Sequence, residues 1–482
     1  MRSDAPTILQ EIVARRRTHL AGIAERLQGV DLEKLPPSTR SLYAALKPDA
    51  AGAGPAGRGG HRFIMECKSA SPSLGSIRAD YHPGDIARVY SRYASAISVL
   101  CEPERFGGAY EHLATVAAST HLPVLCKDFI VDEVQIYAAR YFGADAVLLM
   151  LSVVDDEEYS RLAGLAAKLG LDVLTEVVSV EEVQRAVALG ATIMGCNHRD
   201  LHTLEIDLSR SAALAPHIPP EVAFVAESGV RTNETVRALG GLADGFLVGS
   251  QLTGEPDIDR ACRELVFGPN KVCGLTSAAA AQTARAAGAI FGGLVIASQS
   301  PRFVTPDETA AIIAGEPGLD YVLVSRETSG FQEYLQPGVT ALQIHAPHTT
   351  AQGERDLVAR LRREVGEGIE IWRAVNLEAL ADRTVLDAIV DAADRIVLDS
   401  GAGGTGRQFD WSLIPPDIAG RCLIAGGITP HTVPAALRTG AAGVDLNSGV
   451  ESQPGVKDPA KVVAAFNAIR RFHHTQPTDT EE

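Results

Sequence analysis

Phe267-Gly268-Pro269-Asn270-Lys271-Val272-Cys273-Gly274-Leu275-Thr276 lies just past the midpoint of a 482-residue chain. A charged, helix-patterned run from Asp257 to Val266 stops at Gly268-Pro269. That pair ends a helix, because proline lacks an N–H and its ring clashes with the preceding turn. The residues after it read as a β-strand closing on Cys273-Gly274. The stretch thus reads as the end of one domain and the first strand of the next, with a thiol at that strand's C-terminal end.

Working outward, the pattern is rhythmic on both sides. Before the seam, β-type runs fall at 62–67, 96–101, 123–129, 146–150, 172–177, 192–197, 222–228 and 245–250. Helix-patterned segments, such as 131–142, 155–169, 179–189 and 232–239, separate them. After the seam come 270–274, 292–297, 320–325, 340–345, 369–375, 395–399, 421–427 and 443–449. Strands alternating with helices of this length indicate βαβ units and parallel pairing. Eight such units in each half favour closure into a barrel, which takes ~250 residues as one domain. The expected fold is α/β, two consecutive (β/α)8 TIM barrels at 1–267 and 268–482. A helical extension precedes the first, with Ile8, Ile12, Leu20, Ile23 and Leu27 at helical spacing. Arg15-Arg16-Arg17 on it read as a solvated face, or as one arginine reaching over a nearby anionic site. The Gly/Ala/Pro run at 48–60 reads as a mobile loop, and the polar residues 474–482 as a disordered tail.

Composition sets the outer bounds. With 46% hydrophobic and only 5% aromatic residues, the chain suits buried parallel strands covered by small-faced helices. A net charge of −16 argues against nucleic acid as a partner, since that needs a basic surface. It leaves room for a local basic pocket around a small anionic substrate. No apolar run approaches the ~20 residues of a membrane-spanning helix, and the first residues lack a secretory core. The expectation is a cytoplasmic monomer with no membrane partner. The seven cysteines are odd in number, widely spaced and without a C-x-x-C pair, which speaks against a disulfide framework or a zinc site. Each reads as a small buried hydrophobe, with Cys273 set apart by its position. No metal and no cofactor are expected; the Gly401–Gly406 run comes after an acidic strand end and lacks the lysine of a nucleotide loop.

In such a barrel the chemistry sits at the C-terminal strand ends. In the first half these ends supply Glu66, Lys68 and Ser71, then Lys127, Asp128 and Phe129, then Glu176, Asn197, Arg199, Glu227 and Ser228. Lysines and carboxylates crowded into one dry mouth shift each other's pKa and so form acid–base pairs; the structural alternative is a salt-bridge layer that closes the barrel top. The second half supplies Cys273, Arg302, His345, Asp399 and Asp445. Cys273 and Asp399 are a plausible base and acid, and Arg302 suits a carboxylate by bidentate pairing. The halves also end alike. Glu227-Ser228-Gly229 is followed by Gly249-Ser250, and Gly426-Gly427 by Asn447-Ser448-Gly449. Loops after the seventh and eighth strands often bind phosphate through bare backbone N–H groups. Gly229, Gly249, Ser250, Gly427, Ser448 and Gly449 are the candidates.

Several ordered strings carry a resemblance. Glu66-Cys-Lys68-Ser-Ala-Ser71-Pro72-Ser73, Cys126-Lys127-Asp128-Phe129-Ile130-Val131, Thr175-Glu176-Val177, Asn197-His-Arg199-Asp200-Leu201 and Ala226-Glu227-Ser228-Gly229 resemble indole-3-glycerol-phosphate synthase, over residues ~7–265. That family closes an indole ring on carboxyphenylamino-deoxyribulose phosphate with loss of CO2 and water. The resemblance implies Lys127 as general acid and Glu176 as general base. Lys68 would bind the substrate carboxylate or share acid duty, and Glu66 and Asn197 would orient groups and assist dehydration. Leu74 departs from the lysine common after Ser-Pro-Ser. In the second half, Lys271-Val-Cys273-Gly274-Leu275, Ser300-Pro301-Arg302, Leu398-Asp399-Ser-Gly-Ala-Gly403-Gly404-Thr-Gly406 and Asp445-Leu-Asn-Ser448-Gly449-Val-Glu451 resemble phosphoribosylanthranilate isomerase, over ~270–472. There the resemblance implies an Amadori rearrangement with Asp399 as acid, Cys273 as base and Arg302 on the anthranilate carboxylate. Ala346 and Asn447 depart from the usual Gly and Ser.

The two activities are successive steps of tryptophan biosynthesis, so the reading is a fused bifunctional enzyme acting on small phosphorylated substrates. Two other readings stand beside it: a synthase with a non-catalytic structural second barrel, and a barrel pair acting on a different phosphosugar. Cys273, Arg302 and Asp399 together speak against both.

Overall fold

The structure, a computed structural model, describes residues 7–47, 60–72, 74–200, 205–380, 382–400 and 408–474. Ser73, Leu201, most of the 48–60 loop, the 401–406 glycine run and the tail beyond 474 lie outside the described residues.

Eight parallel strands close the first barrel: β1 (Arg62–Cys67), β2 (Ala96–Leu100), β3 (Val124–Lys127), β4 (Ala146–Met150), β5 (Asp172–Val177), β6 (Ile193–Asn197), β7 (Ala223–Glu227) and β8 (Gly245–Val248). Closure runs through β1, where Ile64 pairs with Ala96 on one side and Leu247 on the other. A second closed barrel comes next: β9 (Lys271–Cys273), β10 (Phe291–Val295), β11 (Asp320–Ser325), β12 (Val339–Ile344), β13 (Glu370–Val375), β14 (Arg395–Leu398), β15 (Cys422–Ile424) and β16 (Gly443–Leu446). Every β-type run of the sequence thus becomes a barrel strand. The largest shortening is at β15, where Gly426 and Gly427 take φ of 79° and 67°, outside the extended range a ladder requires.

Apolar side chains fill most of both interiors. Ile64, Leu125, Leu148, Leu174, Ile193 and Val225 fill the first barrel; Phe291, Val322, Trp372, Val397 and Leu423 fill the second. Helices between strands start on side-chain caps: Asp155 with Glu158, Asp132 with Gln135, and Thr305 with Glu308 ahead of Pro306 form capping boxes. Each satisfies N–H groups the first turn would otherwise leave unpaired.

The N-terminal extension opens with α1 (Ile8–Thr18), capped by Thr7 and Gln10. It is tied to the first barrel by a buried ion pair. Arg16 donates from Nε to Asp128 Oδ1 at 2.8 Å and from Nη2 to Oδ2, and Tyr110 Oη reaches the same carboxylate at 3.0 Å. Arg16 is therefore neither a solvated face residue nor poised over a substrate anion; burial costs it hydration, and Asp128 more than compensates, raising its pKa.

The chain packs as two compact units. The first runs to Cys262 and regains the chain at His473; the second spans Arg263–Phe472. The helix Ile258–Phe267 thus changes unit midway. Buried Arg263 binds the carbonyls of Ala289 and Gly318, the latter at 2.8 Å, within the second unit.

Candidate active sites

At the C-terminal end of the first barrel, β1, β3, β5 and β7 bring the Lys127 ammonium among the three carboxyl groups of Glu66, Glu176 and Glu227. Lys127 Nζ lies 3.4 Å from Glu66 Oε2 and 3.2 Å from Glu227 Oε2. Lys68 Nζ lies 2.6 Å from Glu66 Oε1. Burial opposes the charge on Glu66, but Lys127 and Lys68 outweigh it and hold the carboxyl down to about 2. Burial also opposes the charge on Lys127, and Glu66, Glu227 and Glu176 overcome it, so the ammonium stays protonated. Glu176 goes the other way. Burial first, then the charge of Glu227, push it up to about 8 against the pull of Lys127. Its Oε1 is buried without a hydrogen-bond partner. Glu227 is raised too, by burial.

A cavity of about 660 Å³ opens over this cluster. Glu66, Lys68, Ser71, Lys127, Phe129, Glu176, Asn197, Arg199, Ser228, Gly229, Gly249 and Ser250 line it. Glu227, fully buried, sits beneath its floor. The Ser71 hydroxyl accepts from Leu74 N–H at 3.2 Å, so it shapes the turn that presents Leu74. Asn197 Oδ1 accepts from the Arg199 N–H at 3.0 Å. Asp128, at the same strand end as Lys127, gives its carboxylate to Arg16, Tyr110 and Gln135 instead.

The phosphate-type loop of this barrel is built under constraint. Ser228 has φ of 64°, the one positive φ of a non-glycine residue among the described residues, and Gly229 comes next at 80°. His198, fully buried, donates from Nδ1 to Ser228 O at 2.8 Å, and its Nε2 accepts from Ser211 Oγ at 2.7 Å. That clamp holds a conformation costing on the order of 1 kcal/mol or more for a residue with a β-carbon. A β-carbon on Gly249 would stand 2.5 Å from Glu66 Oε1, so a side chain there would displace that carboxylate.

The second mouth encloses about 470 Å³, lined by Cys273, Arg302, His345, Asp399, Asp445, Gly427, Ser448 and Gly449. Lys271, wholly buried two residues before the thiol, donates to Asp445 Oδ2 at 2.8 Å and Gln343 Oε1 at 2.6 Å. Burial pushes the Cys273 thiol up, while Lys271 pulls it down. Burial raises Asp399 to about 6, which lets it hold a proton near neutrality. Arg302 spends Nε and Nη2 on a bidentate pair with Glu451 at 2.9 and 2.8 Å, and Lys457 reaches Glu451 Oε1 at 2.7 Å. Nη1 of Arg302 has no partner among the described residues. Asn447 Oδ1 accepts from Lys457 at 3.0 Å. The loops after β15 and β16 touch backbone to backbone: a β-carbon on Gly449 would stand 1.9 Å from Ile428 O. Among the described residues, no group of three or more His, Cys, Asp or Glu side chains in the chain could hold a metal ion.

Two family models match the chain in tandem. The family model for indole-3-glycerol phosphate synthase matches residues 9–265, and that for N-(5'phosphoribosyl)anthranilate isomerase matches 270–468. The tryptophan biosynthesis protein TrpCF of Corynebacterium glutamicum is 55% identical over 98% of this chain and 99% of its own length. The chain belongs to the TrpCF family. The TrpCF of Salmonella typhi is 41% identical over 97% of this chain and 100% of its own. Among solved structures, the TrpF of Jonesia denitrificans is 34% identical, covering 42% of this chain and 97% of that one, with a TM-score of 0.34. Like its TrpCF relatives, this is a bifunctional tryptophan-biosynthesis enzyme, a synthase barrel followed by an isomerase barrel.

Some residues of these TrpCF mouths escape sequence reasoning. Ile8, Leu9 and Ile12 of α1 line the synthase cavity; their helical spacing is visible in the chain, but not which barrel face they cover. Phe106 carries no polar signal, yet its ring lies 6.0 Å from Lys68 Nζ and 5.9 Å from the Phe129 ring. Arg231 lines the same cavity beside Gly229. In the isomerase barrel, Lys271, Gln343 and Glu451 organise the groups read as catalytic or carboxylate-binding; Lys271 and Glu451 stand within recognisable strings, whereas Gln343 carries no signal of its own.

Proposed function

We propose that residues 1–267 carry the ring-closing reaction and 268–482 the isomerisation. In the isomerase barrel, Asp399 protonates the ribose ring oxygen of N-(5-phosphoribosyl)anthranilate; the C1–O bond breaks as the nitrogen lone pair forms C1=N. Cys273, as thiolate, removes the C2 proton, and the resulting enolamine becomes the ketone carboxyphenylamino-deoxyribulose phosphate. Arg302 offers Nη1 to the anthranilate carboxylate, while Asp445 and His345 face the sugar. Gly427, Ser448 and Gly449 take the phosphate through backbone N–H groups.

In the synthase barrel, Lys127 gives a proton to the substrate carbonyl as the aromatic carbon attacks it. Loss of CO2 restores electrons to the ring; in the dehydration Glu176 takes a proton while Lys68 gives one to the hydroxyl, which leaves as water. Lys68 faces the carboxylate that leaves, and Glu66, Asn197 and Glu227 hold the two lysines and the hydroxyl in register. Ser71, Phe129 and Arg199 border the substrate, with Ser228, Gly229, Gly249 and Ser250 at its phosphate. We infer further that the protein works as a cytoplasmic monomer with no nucleic-acid partner, in keeping with its net charge of −16. Among the described residues, no helix is long and apolar enough to cross a membrane.

The observation that carries this reading is Lys127 held as a cation within 3.4 Å of both Glu66 and Glu227, beside a Glu176 that can take up a proton near neutrality. The deciding experiment supplies N-(5-phosphoribosyl)anthranilate alone, without added metal or cofactor. Indole-3-glycerol phosphate is the expected product. Accumulation of the ketone would remove the synthase assignment, and unchanged substrate the isomerase one.

A further inference from the structure

Gln343 lies buried near the end of β12, between Lys271 and His345. Lys271 Nζ is 2.6 Å from Gln343 Oε1. An ammonium can only donate, so the amide must turn its oxygen to Lys271 and its NH2 the other way. There Gln343 Nε2 meets His345 Nε2 at 2.5 Å. An amide N–H cannot accept, so His345 Nε2 is the acceptor, and the proton of a neutral imidazole sits on Nδ1. His345 is kept neutral: burial, then Lys271, Arg373 and Arg326, push its pKa down to about 3. Its Nδ1 lies 4.0 Å from Asp399 Oδ2.

We propose that Gln343, oriented by Lys271, is a positioning residue that fixes His345 as the Nδ1–H tautomer facing Asp399. The proposal rests on the reading of Cys273 and Asp399 as base and acid. When Asp399 has given its proton to the ring oxygen, it is left as an anion in a largely buried place. An Nδ1–H that moves in by about 1 Å then donates to that carboxylate at hydrogen-bonding distance; the other tautomer would present a lone pair to it. The same ammonium also acts on the base, lowering the thiol against the effect of burial. Gly293 has no side chain, and a β-carbon there would meet Cys273 Sγ at 2.7 Å and Lys271 Cε at 2.8 Å. Lys271 therefore acts on the thiol on one side and, through Gln343 and His345, sets the donor offered to the acid on the other. Other charged groups share this space. Asp445 and Lys457 act on Cys273, as does Arg302, and Asp445 with Lys271 acts on Asp399.

The test uses the full-length protein with 15N-labelled histidine. Long-range 1H–15N correlation reports which ring nitrogen of His345 is protonated, and a His345→Asn sample identifies its signals. Gln343→Glu, of nearly the same shape, replaces the donor by a carboxylate that only accepts. Wild type should show the proton on Nδ1, and the variant on Nε2. The variant's kcat for isomerisation should fall on the order of 10²-fold, the low end of what a positioned acid–base group supplies, with KM changed by a small factor. Gln343→Met, which loses the amide altogether, should lower kcat in the same direction. Ring closure on directly supplied carboxyphenylamino-deoxyribulose phosphate should be unchanged in both. A wild-type proton on Nε2, or an inverted tautomer with undiminished kcat, would overturn the proposal. The spectroscopic arm needs no turnover, so failure of the isomerase reading itself shows separately, as a wild-type protein inactive on N-(5-phosphoribosyl)anthranilate.

Discussion

Gly195 on β6 and Glu227 on β7 are matched so closely that a β-carbon on the glycine would stand 1.9 Å from Glu227 Oε1. The bare backbone makes room for the carboxylate that holds Lys127. In Gly195→Ala the side chain of Glu227 must move, and Lys127 loses one of its two closest anions. Synthase kcat should drop on the order of 10²-fold, with isomerase turnover unchanged in the same preparation. Equal synthase rates in mutant and wild type would show that Glu227 need not stay where it is.

The two mouths should be separable by single substitutions. Lys127→Ala is expected to lower ring closure on the order of 10²- to 10⁴-fold and spare isomerisation, and Cys273→Ala to do the reverse. Separate assays on the two purified intermediates decide it, and loss of both activities in either variant would refute independent sites.

Glu176 gives a pH signature in two observables. Its folded pKa, raised to about 8, lies above the ordinary value of 4.5, so the folded protein keeps the proton over a range where the unfolded chain has lost it. Its contribution to stability is greatest below 4.5 and declines as pH rises to about 8. Glu176→Gln removes that decline, so the variant should gain melting temperature relative to wild type progressively across this window. As a base the group works ionised, so wild-type kcat/KM for ring closure should rise with pH up to about 8. A flat profile would speak against Glu176 as the base.

Arg16 and Asp128 are buried partners, and removing one leaves the other as an uncompensated buried charge. Arg16→Met should destabilise the synthase barrel by about 3–5 kcal/mol. It should also raise KM for ring closure, because α1 supplies part of the cavity wall. Adding Asp128→Leu should recover stability but not KM. Thermal melts and steady-state kinetics separate the two effects.

Arg302→Lys preserves a charge but not the fork that grips Glu451 through Nε and Nη2. Isomerase KM should rise about 10-fold, equivalent to about 1.4 kcal/mol of lost binding, with a smaller change in kcat. A KM within twofold of wild type would remove Arg302 from the carboxylate subsite.

The barrels are readable because their determinants are local. Runs such as Ala146–Met150 and Asp320–Ser325 are apolar, short and bounded by turn residues, and each is a strand to the residue. Polar residues at strand ends are readable for the same reason: a barrel puts all such ends at one mouth. Pairings across the fold are not. Nothing in Thr192-Ile-Met-Gly195-Cys-Asn197 says that its glycine faces a carboxylate from the next strand. Arg16 looks like its two exposed neighbours, and only its contact with Asp128, 112 residues away, sets it apart. Gln343 reads as one more residue of a strand until Lys271 and His345 are seen on either side of its amide.

That separation of Arg16 from its anchor also bears on how the chain is made. Domains fold as they emerge during synthesis, N-terminus first, yet α1 leaves the ribosome long before β3 and Asp128 exist. The helix has to wait, with its apolar face uncovered, until the sheet behind it has been translated. Between these two elements the order of synthesis is not the order of assembly: α1 is made before β3, yet it can take its place only after β3 has been made.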